Sequence, residues 1–89
     1  MIEKNLQITN KLGLHARAAM KVINCAGRYQ SSIELTYNNR TVNAKSILGV
    51  MALGASQGQQ VILKFDGPDE EDAATAIQQL FESHFGEDT

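Results

Sequence analysis

Apolar and polar residues alternate in three segments of this chain, which is the pattern of β-strands with one buried face. The alternating apolar positions are Ile2, Leu6 and Ile8, then Ile33, Leu35 and Tyr37, and finally Val61, Leu63 and Phe65. The pair Asn38-Asn39 follows the second segment. Because asparagine tolerates positive φ, this pair predicts a hairpin whose second strand continues at Val42. The alternation therefore predicts four strands.

A second pattern, with apolar residues three or four positions apart, predicts three helices. The first begins at Ala16 and stops at Gly27, the second follows Ser46 as its N-cap, and the third is capped by Asp69. The expected buried residues are Ala19, Val22, Ile23 and Ala26 in the first helix, and Ala73, Ile77, Leu80 and Phe81 in the last.

The predicted element order is β-α-β-β-α-β-α. Because each strand has one face in water, the helices must cover the other face of a mainly antiparallel sheet. We therefore expect an α+β fold with two layers, formed by one domain over residues 1–89.

Composition is that of an ordinary globular protein, with 43% hydrophobic and 20% charged residues. The lone Cys25 cannot form an internal disulfide, which favours a reducing, cytoplasmic location. The N-terminus does not resemble a signal peptide, and no apolar run is long enough to insert into a membrane.

Charge is distributed unevenly along the chain. Residues 1–64 hold all eight Lys and Arg against two acids, a net charge of +6, whereas residues 65–89 hold eight acids and no base. Acids at 69–72 suit the first turn of the last helix, where the dipole favours negative charge. The basic remainder could also steer acidic partners. These two interpretations are compatible.

His15 lies where the chain turns from the first strand into the first helix, and Arg17 follows two residues later. A helix N-terminus presents free backbone N–H groups and a positive dipole end, which favour a bound anion and a neutral imidazole nucleophile. The Arg17 guanidinium can contact a phosphate through two N–H groups. The residues therefore predict a phosphoryl group on His15, stabilised by Arg17 and by the N–H groups of Ala16 and Arg17. An ordinary structural histidine is the alternative.

A metal or a nucleophilic cysteine would give His15 a different role. Only His84 and Cys25 could join it, and their spacing matches no known ligand set. His84 is expected in the last turn of the final helix, where a cation suits the dipole. The glycines Gly54 and Gly58 fit no nucleotide-binding motif. We therefore expect neither a metal nor a cofactor.

Ser46 and the residues after it form a second candidate region. As a plain N-cap, Ser46 is worth ~1 kcal/mol. Phosphorylation there is the functional alternative, because added negative charge suits a helix N-terminus. A short helix cannot bury all of Ile47, Leu48 and Met51, so some of them should form an outward docking surface. Methionines such as Met20 and Met51 suit contacts with several partners.

Two segments resemble the HPr family, the histidine phosphocarriers of the bacterial phosphoenolpyruvate-dependent phosphotransferase system. They are Leu12-Gly13-Leu14-His15-Ala16-Arg17 and Lys45-Ser46-Ile47-Leu48-Gly49-Val50-Met51-Ala52-Leu53-Gly54. The resemblance spans the full chain in length and element order. It implies an open-faced β-sandwich, with a four-stranded antiparallel sheet and three helices on one face.

The resemblance also implies roles for individual residues. His15 would be phosphorylated at Nδ1, Arg17 would stabilise the phosphoryl group, and Ser46 would be the regulatory serine that an HPr kinase/phosphorylase modifies in some bacteria. Phosphorylated enzyme I would donate the group, and an EIIA-type protein would receive it. The implied docking surface for these partners comprises Ala16, Met20, Ile47, Leu48 and Met51.

One position departs from the family, which usually reads His-Ala-Arg-Pro, because residue 18 is Ala18 here. The N–H at this position has no intrahelical partner, so we expect alanine in place of proline to lower stability by less than ~1 kcal/mol and to leave the chemistry unchanged.

The presence of His15 argues against a regulatory branch in which that histidine is replaced. Sugar uptake and a nitrogen-linked branch both stay open, because Lys45–Gly54 favours the first and the acidic end Gly86-Glu87-Asp88-Thr89 resembles the second.

Two functions of different classes follow. The leading prediction is a phosphocarrier, which is a substrate of other enzymes rather than a catalyst. The alternative is a non-carrier regulatory module that acts through Ser46 and the surface of Ile47, Leu48 and Met51. Nucleic-acid binding is disfavoured by the net charge of −2 and by aromatic residues that resemble core positions. We expect a monomer, since a carrier presents one face to several partners in turn.

Overall fold

The chain folds into four strands and three helices in the predicted order. The structure is a computed structural model, and it describes residues 1–87. The elements are β1 (Ile2–Gln7), α1 (Ala16–Ala26), β2 (Ser32–Tyr37), β3 (Arg40–Asn43), α2 (Ile47–Ala52), β4 (Gln60–Asp66) and α3 (Glu70–Glu82), followed by a short turn (His84–Gly86).

The strands form one antiparallel sheet in the order β1-β4-β2-β3. Side chains alternate across it as the sequence pattern predicts. On β4, Leu63 and Phe65 are buried, whereas Ile62 and Lys64 are exposed. The helices pack over the buried face, so the predicted α+β open-faced sandwich is confirmed.

The connection between β2 and β3 is a tight two-residue turn. Asn38 has φ +54° and Asn39 has φ +66°, which is the pair of positive angles that a type I′ turn requires. This turn fixes the register in which Tyr37 pairs with Arg40. The prediction of a hairpin from the Asn-Asn pair is confirmed.

The buried faces of the two longer helices differ in detail from the predicted ones. On α1, Ala18 is buried and Ile23 only partly so; on α3, Ala74 is buried and Leu80 is partly exposed. In each helix three of the four predicted residues are thus buried, and one additional alanine is buried in place of the fourth. Small alanines allow the helices to approach the sheet closely.

Asp69 occupies the predicted N-cap position of α3, but the expected capping by its side chain is wrong. Asp69 precedes α3, but its side chain makes no capping hydrogen bond to that helix. Its carboxylate instead accepts hydrogen bonds from the Gln30 N–H at 2.9 Å, the Ser31 N–H at 2.9 Å and the Ser31 hydroxyl at 2.5 Å. Asp69 therefore ties the start of α3 to the segment that enters β2, a long-range contact that sequence spacing does not reveal.

The predicted position of His84 is also wrong. Helix α3 ends at Glu82, and His84 and Phe85 both have positive φ, +58° and +55°. The His84 Nδ1 atom lies 2.6 Å from the Thr9 hydroxyl, and the Phe85 ring is fully buried. The chain thus bends back toward the β1–α1 loop. Asp88 and Thr89, part of the acidic end noted in the sequence, lie outside the described residues.

The loop between β1 and α1 lies against the segment that follows α2. Gly13 has φ +68°, and a Cβ atom there would lie 2.7 Å from the Ala55 carbonyl oxygen. The next residue, Leu14, donates its N–H to that same carbonyl at 3.1 Å. Glycine at position 13 is therefore required both by its backbone angle and by the lack of space.

No helix within residues 1–87 has the length and apolar character needed to cross a bilayer.

We predict that Gly13→Ala is markedly more destabilising than Gly54→Ala. Both glycines have similar φ, +68° and +66°, so alanine meets the left-handed penalty of roughly 1–2 kcal/mol at each. Only at position 13 would the new methyl group also meet the Ala55 carbonyl, since nothing lies within 4 Å of a Cβ at position 54. Urea unfolding of both variants measures the difference, and equal losses would contradict the prediction.

We also predict that Asp69 makes stability depend on acid pH. The hydroxyl of Ser31, together with the N–H of Gln30, holds the pKa of the Asp69 carboxyl below its ordinary value. An unfolded carboxyl titrates near ~3.9, so the ionised group stabilises the fold above that pH and loses this effect as the pH falls through its lower folded pKa.

Asp69→Asn should therefore be less stable than the parent protein at neutral pH, and the difference should shrink in acid. Asp72→Asn is the matched control, because Asp72 is an exposed carboxylate at the same end of α3 that accepts no hydrogen bond from residues 1–87. Urea midpoints measured between about pH 7 and pH 2 test this. A difference that stays constant with pH would refute it.

Candidate functional site

His15 is the N-cap residue of α1, as the sequence places it. Its backbone is extended, with φ −74° and ψ 178°, and its carbonyl accepts the first helical hydrogen bond, from the Ala19 N–H at 2.8 Å. Its Nδ1 atom accepts the Arg17 N–H at 3.3 Å. The imidazole thus caps the helix through Nδ1, so the ring is oriented by backbone that belongs to the same turn.

A shallow cleft surrounds the imidazole. It is lined by Lys11, Leu12, His15, Ala16, Arg17, Lys21, Gly86 and Glu87. Arg17 is exposed, and its guanidinium makes no hydrogen bond or ion pair with residues 1–87. The cleft combines three cationic side chains with the N-terminus of a helix, so it can hold a phosphate-sized anion next to His15.

Glu87 is the site residue that the sequence pattern did not identify. Its Oε2 atom lies 2.5 Å from the His15 Nε2 atom, and both side chains are largely shielded from water, with 13% and 28% of their surface exposed. The Asn10 amide, followed by the His15 ring, holds the pKa of the Glu87 carboxyl below its ordinary value. Glu87 is thus a carboxylate at neutral pH, hydrogen-bonded to the imidazole.

Asn10 connects Glu87 to the loop before His15. Its buried Nδ2 atom donates to the Glu87 Oε1 atom at 2.9 Å and to the Gly13 carbonyl at 2.8 Å. Lys21 fixes the same chain end by donating to the Phe85 carbonyl at 2.5 Å. No local signal predicts the contacts of Asn10 with Glu87 and of Lys21 with Phe85, because these residues are 77 and 64 positions apart.

Ala18, where the resembled family usually has proline, is fully buried in the first turn of α1. The first helical hydrogen bond uses the N–H of Ala19, so the Ala18 N–H precedes the regular ladder. A proline at this position would therefore remove no helical hydrogen bond, as the sequence indicates.

Ser46 caps α2, and this prediction is confirmed. Its hydroxyl oxygen accepts the Gly49 N–H at 3.3 Å, and its own side chain is exposed. Nearby apolar residues face water, as expected for so short a helix: Leu48 is 78% exposed and Met51 41%. We name as the apolar surface the five residues Ala16, Met20, Ile47, Leu48 and Met51.

The apolar surface spans two helices that pack against each other, α1 and α2. Ala16 and Met20 are exposed on α1, and Ile47 on α2 is half-buried. Since Ala16 also lines the cleft around His15, the surface is continuous with that cleft. The sequence-predicted site residues therefore lie on or at the start of two adjoining helices, with His15 as the N-cap of α1 and Ser46 as the N-cap of α2.

Within residues 1–87 no three potential metal ligands come together. Burial raises the pKa of the Cys25 thiol, which keeps it protonated and a poor nucleophile at neutral pH. The chemically distinctive group is therefore the His15 imidazole.

Comparison with known proteins places this chain in a family. The family model described as the PTS HPr component phosphorylation site matches residues 2–83. A phosphocarrier protein HPr of Xylella fastidiosa is 51% identical over 89 residues, which are the whole of both chains. The similarity therefore includes both segments on which the resemblance was based.

Solved structures agree with the sequence comparison. HPr-C-His from Thermoanaerobacter tengcongensis is 47% identical, with a TM-score of 0.96 over the whole of both chains. An HPr dimer from the same organism is 48% identical, with a TM-score of 0.79 over 98% of this chain and 100% of that one. On these grounds the chain belongs to the HPr family of phosphocarrier proteins.

Proposed function

We propose that this protein carries a phosphoryl group on the Nδ1 atom of His15, accepting it from phosphorylated enzyme I and passing it to an EIIA-type acceptor. The observation that carries the proposal is the orientation of the ring. Nδ1 faces a backbone donor, the Arg17 N–H, while Nε2 faces the Glu87 carboxylate. Nδ1 is therefore the nitrogen with a free electron pair.

In the forward step, the Nδ1 electron pair attacks the phosphorus atom held by the donor protein. The Nδ1–P bond forms as the bond between phosphorus and the donor breaks, and that electron pair stays with the donor. The new phosphoryl oxygens lie at the N-terminus of α1, where the N–H groups of Ala16 and Arg17 and the Arg17 guanidinium can balance their charge. Transfer to the acceptor is the same step in reverse.

The charge of the cleft favours the transfer of a phosphoryl group to and from anionic partners. Among residues 1–87, three cationic side chains, Lys11, Arg17 and Lys21, line the cleft beside His15 and outnumber its one carboxylate, Glu87. Cationic surfaces attract anionic partners, and this electrostatic attraction becomes stronger as the ionic strength falls. The acids of the α3 first turn, Glu70, Glu71 and Asp72, belong to a different element and do not line the cleft.

The apolar surface is our candidate for the area that docks enzyme I and EIIA-type acceptors. It adjoins the reacting residue, and its exposed methionine and leucine side chains can adapt to more than one partner.

We propose that the protein acts as a monomer in the cytoplasm and is a substrate of other enzymes, not a catalyst. A dimer, as in one of its relatives, is the alternative oligomeric state. Both sugar uptake and nitrogen-linked transfer fit this site.

Ser46 is our candidate for a regulatory phosphorylation site, with an HPr kinase/phosphorylase as the enzyme. Its exposed hydroxyl caps α2, whose N-terminus would tolerate added negative charge. Phosphate there would lie beside Ile47 and Leu48 of the apolar surface, and would oppose the approach of acidic partners.

One prediction of this proposal concerns the carrier step. Incubation with enzyme I and phosphoenolpyruvate should add one phosphate, detected by intact mass, and acid should remove it, since a phosphorus–nitrogen bond is labile. His15→Ala should abolish the gain, because it removes the nucleophile, whereas Ser46→Ala should keep it.

An active control carrier establishes that enzyme I works. If the parent protein then gains no acid-labile phosphate, the carrier function is refuted. In that case the alternative, a regulatory module acting through Ser46, Ile47, Leu48 and Met51, would be favoured, and His15→Ala would leave its partner binding intact.

Another prediction of this proposal concerns docking. Leu48→Ser should raise the KM of enzyme I for this protein roughly tenfold, because removing a buried interface contact costs above ~1 kcal/mol. Ile62→Ser is the matched control: Ile62 is also an exposed apolar residue, but it lies on the open face of the sheet. Equal effects of the two changes would contradict the assignment of the docking surface.

A further inference from the structure

Glu87 reaches His15 from the far end of the chain, and it is held there from several sides. Its Oε2 atom lies 2.5 Å from His15 Nε2, and its Oε1 atom accepts from the Asn10 amide at 2.9 Å. The Asn10 side chain is buried, and Lys21 holds the preceding turn through the Phe85 carbonyl. The Glu87 carboxylate is therefore held in a defined position within the site.

Both ring nitrogens of His15 have partners that define the position of the proton. An ionised carboxylate can only accept a hydrogen bond, so the nitrogen that faces Glu87 must be protonated. A backbone N–H can only donate, so the nitrogen that faces Arg17 must be unprotonated. Two independent contacts thus indicate the same neutral form of the imidazole, with its hydrogen on Nε2.

We propose that Glu87 is a positioning residue for phosphoryl transfer: its carboxylate holds the proton on Nε2 of His15 and thereby directs phosphorylation to Nδ1. The proposal rests on the carrier function proposed above. It assigns to this chain's own Glu87 a role in selecting which of two chemically similar nitrogens reacts.

The proton balance of the transfer supports this role. When Nδ1 bonds to phosphorus, the ring becomes a cation that keeps its hydrogen on Nε2, and the Glu87 carboxylate pairs with that new charge. When the group leaves, the electron pair of the Nδ1–P bond returns to Nδ1 and the original neutral ring is restored. No proton has to enter or leave the ring in either direction, so the step needs no separate acid or base.

A purely structural role is the competing explanation, in which Glu87 only anchors the chain end through Asn10. The two explanations differ in one measurable property, the nitrogen that is phosphorylated. Glu87→Gln keeps the shape of the side chain and can still hydrogen-bond its neighbours, so the chain end stays anchored. Because the amide can also donate a hydrogen bond to Nε2, it no longer determines which ring nitrogen carries the proton.

The test uses phosphoramidate, a small phosphoryl donor that needs no protein partner. The parent protein, Glu87→Gln and the control Glu34→Gln are phosphorylated at about pH 8.5, where a free imidazole is largely neutral. Glu34 is an exposed carboxylate on the open sheet face, opposite the helical layer that holds His15. Before the reaction, nitrogen-15 NMR of the imidazole shows which ring nitrogen carries the proton. Early in the reaction, it shows which nitrogen is phosphorylated. The variant His15→Ala identifies the signals that belong to His84.

We expect the parent protein and Glu34→Gln to carry the proton on Nε2 and to react at Nδ1. In Glu87→Gln, the early ratio of Nε2 to Nδ1 product should rise about tenfold, equivalent to roughly 1.4 kcal/mol of lost selection. An unchanged ratio in a folded Glu87→Gln protein, or a parent protein that reacts at Nε2, would overturn the proposal. Because this readout needs no enzyme I, a failure of the carrier function would be seen separately, as an absence of transfer from enzyme I to the parent protein.

Discussion

The position of His15 depends on one close backbone contact, between Gly13 and the Ala55 carbonyl. That carbonyl also accepts the Leu14 N–H, so the loop that leaves β1 is held against the segment after α2. The loop can then turn directly into α1, with His15 as its N-cap. A larger residue at position 13 would displace the loop and with it the imidazole. The His15 side chain is therefore placed by packing between distant segments, and the helix end supplies its electrostatic surroundings.

Capping by an imidazole nitrogen has a consequence for the carrier cycle proposed here. In the free protein, the electron pair of Nδ1 satisfies the Arg17 N–H. Once Nδ1 is bonded to phosphorus it can no longer accept that hydrogen bond, but phosphoryl oxygens then stand at the same helix end and can accept it instead. The Arg17 N–H thus has an acceptor in both states, a nitrogen atom in one and an oxygen atom in the other, so loading the carrier does not leave this donor without a partner.

Sequence reasoning was accurate where structure is set by neighbouring residues. Strand alternation, the Asn38-Asn39 turn and the Ser46 cap each depend on a few consecutive positions, and all three are confirmed. It failed where side chains meet across the fold. Asp69 hydrogen-bonds Ser31 instead of its own helix, and His84 contacts Thr9 beyond the helix end. Local capping rules favoured the helix in both cases, but tertiary partners offered better hydrogen bonds. Glu87 could not be identified because its contacts span more than seventy positions.

A carboxylate in the proposed phosphoryl site raises an electrostatic question, because Glu87 would repel a phosphoryl dianion. The geometry of the ring resolves it. Glu87 faces Nε2, whereas the phosphoryl group would be attached at Nδ1, so the imidazole lies between the two negative groups. The charge that forms on the ring during transfer lies nearest to Glu87, and the charge on phosphorus is left to Arg17 and the helix N-terminus. Since Coulomb energies fall with distance and rise where water is excluded, the attraction between the shielded carboxylate and the adjacent imidazolium outweighs the repulsion across the ring. The arrangement therefore stabilises the ring cation of the loaded carrier while the imidazole separates the carboxylate from the phosphoryl group.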